Sequence, residues 1–154
     1  MQSAAVAALV VLIDQATKFA VTERLTIGES LPVVRNLVSF RHIRNTGAVF
    51  GIMRGAGGYF TVFSIVAAAI LIVVLFVSRK SSLFVKASLG LILGGAVGNL
   101  IDRLRYGNVV DFVDLGISGK LRWPCFNVAD VAITVGVALL VINTLRKPET
   151  DSTG

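Results

Sequence analysis

The stretch YFTVFSIVAAAILIVVLFV, residues 59–77, decides the fold. No charged residue interrupts it, and its length matches the roughly 20 residues a helix needs to cross the hydrocarbon of a bilayer. Water is absent there, so the backbone must bond to itself, and a helix is the form a single segment can take. Three further apolar segments lie at 4–21, 84–101 and 126–145. They carry only Asp14 and Lys18, Lys86, and Asp130, respectively. The 154 residues are 55% hydrophobic and 16% charged, a composition outside the range of ordinary soluble domains. The reading is a single integral membrane domain over 1–154: an all-α membrane protein with four transmembrane helices.

The first segment is not read as a cleaved leader. It lacks a basic start and a small-x-small cleavage site, and Asp14 and Lys18 interrupt the place where an apolar core would continue. No repeat is visible, and the tail 146–154 is polar and expected to be disordered. Cys125 is the sole cysteine and His42 the sole histidine. That rules out an intrachain disulfide and a zinc site of the usual kind. The net charge of +6 comes without a basic surface interleaved with aromatics, so nucleic acid is not an expected partner.

Four spans put both termini on one side. Arg79, Lys80 and Lys86 surround the short loop after the second span. The long loops at about 22–58 and 102–125 hold more basic residues but at lower density, so the bias of Lys and Arg toward the cytoplasm does not orient the chain. In the first long loop, LVSFRHI (37–43) alternates β-branched and aromatic residues as a strand does. NTG (45–47) reads as a turn and RGAGG (54–58) as a loop. A small β-sheet of this first loop, lying on the membrane surface, is one reading; a plain connection is the other. Gly90, Gly94 and Gly98 recur every fourth residue beside Gly95, a pattern that lets helices approach closely in lipid.

Chemistry is narrowed by elimination. GISG (116–119) has the form of a membrane serine protease motif, but Ser118 sits in a polar loop and His42 lies in the other one. No His-Glu-x-x-His is present, and Cys125 has no evident base. Asp14, Asn99, Asp102, Asp111, Asn127 and Asp130 remain, all near one end of the helices. Ionisable groups at membrane depth point to function. Each also has a plain structural reading. Asp14 and Lys18 are four apart and can pair on one helix face. Asp102 and Arg103 can form an interfacial ion pair. Asn127 with Asp130 resembles an N-cap and acidic first turn. If the second long loop folds back, Asp111 meets Asp130, but spacing does not choose Asp111 over Asp114 or Asp102.

Five motifs then stand in order: DQATK (14–18), NTGAVFG (45–51), GNLIDR (98–103), VVDF (109–112) and FNVAD (126–130). On these the chain resembles the bacterial lipoprotein signal peptidases (signal peptidase II), a family of aspartyl membrane proteases, along nearly its whole length. The resemblance implies a catalytic dyad of Asp111 and Asp130. It implies that Asn99 and Asn127 bond the dyad or the substrate backbone, and that Asp102 and Arg103 brace the site or hold substrate carbonyls. Asn45 with Gly47 would close over the site, and Asp14 would stabilise the bundle beside it. The implied substrate is a diacylglyceryl-modified prolipoprotein, cut just before the lipidated cysteine. The implied setting is the bacterial cytoplasmic membrane among phospholipids, with an extracytoplasmic sheet and active site, both termini cytoplasmic, no cofactor and a monomeric state. The alternative is a small transporter or channel subunit that uses the same aspartates to bind protons or cations.

Overall fold

A computed structural model describes residues 2–35, 37–46, 57–118 and 121–145. Its helices are α1 (Gln2–Arg24), α2 (Gly57–Val77), α3 (Leu83–Tyr106) and α4 (Val128–Leu145); its strands are β1 (Ser30–Val34), β2 (Val38–Asn45), β3 (Val109–Ser118) and β4 (Leu121–Arg122). Four helices among the described residues are long and apolar enough to cross a membrane. Gly47, the 54–56 part of the RGAGG loop and the tail 146–154 lie outside the described residues.

α3 is the hub, with α1, α2 and α4 all packed on it. Small residues bring the backbones together. A methyl group on Gly94 would lie 2.7 Å from Val10 Cβ and 2.8 Å from the Ala7 carbonyl of α1. On the neighbouring face, one on Gly95 would collide with the Ala129 carbonyl of α4. Gly95→Val must therefore push α4 off α3, and a loss of roughly 1–3 kcal/mol is expected, read as earlier thermal unfolding in detergent. The outward faces are apolar: Val62, Phe63, Val66, Ile70 and Val73 of α2 are exposed, as are Leu9 and Leu12 of α1. In water such surface would be costly, whereas in lipid it is the solvated face.

Two features differ from the sequence expectation. The third helix does not stop at 101 but runs a further turn, so Asp102 and Arg103 are helical rather than part of a loop. Apolarity marks the hydrocarbon, but the helix ends where Gly107 takes a left-handed conformation (φ 69°) and donates its N–H to Arg103 O at 3.0 Å. The sheet is also larger than a first-loop sheet. It is antiparallel in the order β1-β2-β3-β4, with two strands from each long loop. The second loop supplies VVDFVD, whose β-branched and aromatic residues pair with β2 through Ile43↔Asp111 and Asn45↔Val109.

The join between β3 and α4 sets the site. Phe126 bridges to Val113: Phe126 N donates to Val113 O at 3.1 Å, and Val113 N donates back at 2.8 Å. The sheet is thus fastened one residue before the cap of α4, and Asp111 is carried to that helix start.

Candidate active site

The start of α4 is closed by a reciprocal cap. Asn127 Oδ1 accepts from Asp130 N at 3.0 Å, and Asp130 Oδ2 accepts from Asn127 N at 3.2 Å. A third N–H of this turn, that of Ala129, is taken by Asp14 Oδ1 of α1 at 3.0 Å. The first turn would otherwise leave its amides without partners. Gly98 makes the approach feasible, since a methyl there would stand 2.6 Å from Asp14 Oδ2.

Asn127 also connects the two aspartates. Its Nδ2 donates to Asp111 Oδ1 at 2.7 Å, while its backbone and Oδ1 engage Asp130. The same Nδ2 lies 3.1 Å from Asn99 Oδ1 and 3.3 Å from Val110 O. Asn99 Nδ2 donates to Asp130 Oδ1 at 2.8 Å. On the far side of Asp111, Asn45 Nδ2 donates to Oδ2 at 2.9 Å. Asn45 sits opposite Val109, which places it diagonally from Asp111 on one face of the β2–β3 ladder. Burial pushes the Asp111 carboxyl up to about 7; the Asn45 and Asn127 amides and the Lys18 charge pull it down, and the Asp130 charge adds to the rise.

Behind the pair lies a buried ionic layer. Lys18 Nζ is 2.8 Å from Asp14 Oδ2 and 2.9 Å from Asp102 Oδ2, and it donates to Asn99 Oδ1 at 3.1 Å. Gln15 Nε2 reaches Asp102 Oδ1 at 3.0 Å and Gly98 O at 3.2 Å. Asp102 Oδ2 also accepts the Val110 N–H at 3.0 Å, tying α3 to β3. Arg103 Nη1 lies 3.4 Å from Asn99 O, with its charge in reach of Asp130, Asp111 and Asp102.

The structure therefore gathers Asp14, Asn45, Asn99, Asp102, Arg103, Asp111, Asn127 and Asp130 in one place; Gly47 lies outside the described residues. Sequence reasoning had Lys18 as a partner for Asp14 alone and had no role for Gln15. Both stand inside DQATK, where the i, i+4 spacing gives the Asp14 contact but not the contacts across to α3. Asp114 is separate: it pairs with Arg122 at 2.8 Å, and Arg122 also reaches Ser39 Oγ at 2.9 Å.

Other nucleophiles find no support. Burial, with the charges of Asp111 and Asp114, pushes the Cys125 thiol up to about 12, so it is not a thiolate at neutral pH. His42 Nδ1 is held 2.8 Å from Leu25 O at the end of α1. Among the described residues no cluster of three or more His, Cys, Asp or Glu side chains suits a metal ion.

A four-span membrane bundle whose buried carboxylates meet at a capped helix start has the architecture of a membrane-embedded enzyme. The profile of the family described as Signal peptidase (SPase) II matches residues 6–146, and the chain belongs to that family. It is 43% identical over 151 residues to the lipoprotein signal peptidase of Syntrophus aciditrophicus, covering 95% of this chain and 93% of that one. It is 45% identical over 149 residues to that of Cupriavidus taiwanensis, covering 93% and 82%. Two solved structures described as bacterial membrane enzymes superpose on it. One has a TM-score of 0.83 at 32% identity, covering 99% of this chain and 92% of that one. The other has 0.80 at 34%, covering 95% and 94%. The chain is accordingly a membrane protease that processes lipoprotein signal peptides, and the transporter alternative falls away.

Proposed function

We propose that the protein is an aspartyl endopeptidase that cuts diacylglyceryl-modified prolipoproteins just before the lipidated cysteine, with Asp111 and Asp130 as its catalytic pair. The observation that carries this is the Asn127 link: one residue bonds both carboxylates, that of Asp111 through its side-chain amide and that of Asp130 through its backbone N–H. Two carboxylates about 4 Å apart repel by about 4 kcal/mol at an effective dielectric near 20, so such a pair holds one proton over a wide pH range. Asp111, pushed up to about 7, supplies the acid. Asp130 receives N–H donors from Asn99 and from the helix start, a setting that suits the carboxylate base.

Asp130 takes a proton from water as the water oxygen bonds to the scissile carbonyl carbon. Asp111 gives its proton to the carbonyl oxygen. When the C–N bond breaks, the amine of the cysteine takes a proton from the pair, and the signal peptide leaves with a carboxyl end. Asn45, Asn99 and Asn127 hold the carboxylates; Arg103 braces the site or holds a substrate carbonyl. Asn45 comes from the first loop and holds Asp111 from its far side.

Diacylglyceryl chains stay in lipid against the exposed apolar faces while the scissile bond reaches the pair at the helix ends. We place the protein as a monomer in the cytoplasmic membrane of a bacterium. The sheet and pair lie at the outer face and both termini in the cytoplasm. Exposed Leu31, Val33, Val34, Leu37 and Trp123 suit a sheet that rests on the headgroups. The test is cleavage by the purified protein in lipid of two precursors that differ only in diacylation of the cysteine. The diacylated one is cut and the unmodified one is not; equal cleavage of both would remove the lipid from the reading. A strong chelator is expected to leave the rate unchanged, since among the described residues no group of His, Cys, Asp and Glu side chains suits a metal ion. Loss of cleavage restored by zinc would contradict the mechanism.

A further inference from the structure

Lys18 has more partners than a structural ion pair requires. Its side chain is 4% exposed, and its ammonium has three N–H donors. Two go to Asp14 and Asp102, one carboxylate more than the single charge needs; the third goes to a neutral amide, Asn99 Oδ1. That oxygen also receives Asn127 Nδ2 at 3.1 Å. Turned the other way, Asn99 would point its NH2 at an ammonium and at a second NH2. Only one orientation of the amide is therefore tolerated, and it aims Asn99 Nδ2 at Asp130 Oδ1, 2.8 Å away.

We propose that Lys18 is a positioning residue of the reaction: through Asn99 it locks an N–H onto Asp130 and so presents Asp130 as the carboxylate that activates water. An amide free to turn would offer Asp130 an oxygen instead, which a carboxylate cannot bond and a carboxylic acid can. The proposal rests on the dyad reading and deepens it. The charged groups around the relay are Asp14 on α1, Asp102 and Arg103 on α3, Asp111 on β3 with Cys125 beside it, and Asp130 on α4; α2 carries none.

The experiment compares Lys18→Met, Asn99→Ala and the double variant with wild type, on a diacylated precursor, as a function of pH, with folding checked in detergent. Asp111→Asn and Asp130→Asn run beside them. A misplaced group costs about tenfold to a hundredfold, so kcat of Lys18→Met falls by that factor with KM within about threefold. The alkaline limb of its profile moves to higher pH, because the Lys18 charge that lowers Asp111 is gone. Asn99→Ala is slowed likewise, and the double variant is no slower than the slower single one.

Wild-type kcat and pH profile in folded Lys18→Met would overturn the proposal. So would wild-type kcat in Asn99→Ala, which leaves the ionic triad whole, or losses that multiply in the double variant. Should Lys18→Met fail to fold with Asp14 and Asp102 unpaired, Lys18→Met/Asp14→Asn/Asp102→Asn is compared with Asp14→Asn/Asp102→Asn, so that only Lys18 separates the two; equal kcat in that pair would overturn the proposal. Normal turnover by Asp111→Asn and Asp130→Asn would instead sink the dyad reading. Slow dyad variants beside a fast Lys18→Met would sink this proposal alone.

Discussion

Asp111→Asn is expected to fold, insert and lose cleavage by at least about 10²-fold, the scale of a general acid–base contribution. In wild type, kcat/KM should fall as pH rises through about 7, where the Asp111 carboxyl gives up the proton that the proposed mechanism has it donate. The same group gives a stability signature that runs in the same direction. Its folded pKa is raised from 3.8 to about 7, mainly by burial, so the folded chain binds the proton more tightly than the unfolded one. The stability it lends is complete below the lower value and is lost as pH rises toward the upper one, levelling off beyond it. A shift of about three units corresponds to at most about 4 kcal/mol. Relative to Asp111→Asn, wild type should thus lose stability between about pH 4 and 7. Denaturation of both proteins in detergent across that window checks it. Parallel curves would mean that Asp111 ionises as freely in the fold as in the open chain.

Asp130→Asn is expected to lose activity on the same scale, about 10²–10⁴-fold, for a different local reason. The asparagine oxygen can still accept the Asn127 backbone N–H, so the cap at the start of α4 survives in part. What fails is the second acceptor, which now faces Asn99 Nδ2 with an NH2 of its own. The structural cost is about 1 kcal/mol, far short of the catalytic one. Asp114→Asn is the control. Its carboxylate is engaged by Arg122 at the sheet edge, away from Asn127, so this variant should lose little stability and keep near-normal turnover. A cleavage assay beside thermal unfolding separates the three. A loss at Asp114 equal to that at Asp130 would mean that the sheet, rather than the pair, limits the reaction.

The spans were legible because apolar runs of this length have one stable form in lipid; 59–77 alone settles the fold class. Their ends were not, because α3 stops at Gly107 and not where its hydrophobicity fades. The second half of the sheet was hidden in VVDFVD. Aspartates are uncommon in strands, and the partner strand β2 lies far away in sequence, so no local pattern announces the pairing. The aspartates were visible as charges at one depth, but spacing gave three for one place. Geometry separates them: Asp102 is held by Lys18, Gln15 and the Val110 amide, and Asp114 by Arg122, while Asp111 meets Asn127. Lys18 was half legible. The helix period gives its bond to Asp14, whereas its bonds to Asp102 and Asn99 depend on how closely α1 settles on α3.

In the proposed mechanism, Asp111 and Asp130 together drive water onto the bond before the lipidated cysteine. The most direct test is mass spectrometry of the products formed from a diacylated precursor in oxygen-18 water, with wild type, Asp111→Asn and Asp130→Asn. Wild type should release a signal peptide carrying one heavy oxygen at its new carboxyl end and a fragment beginning at the lipidated cysteine. The two folded variants should yield neither above about a hundredth of that rate. Near-normal yields from either variant, or cleavage at another bond, would contradict this mechanism.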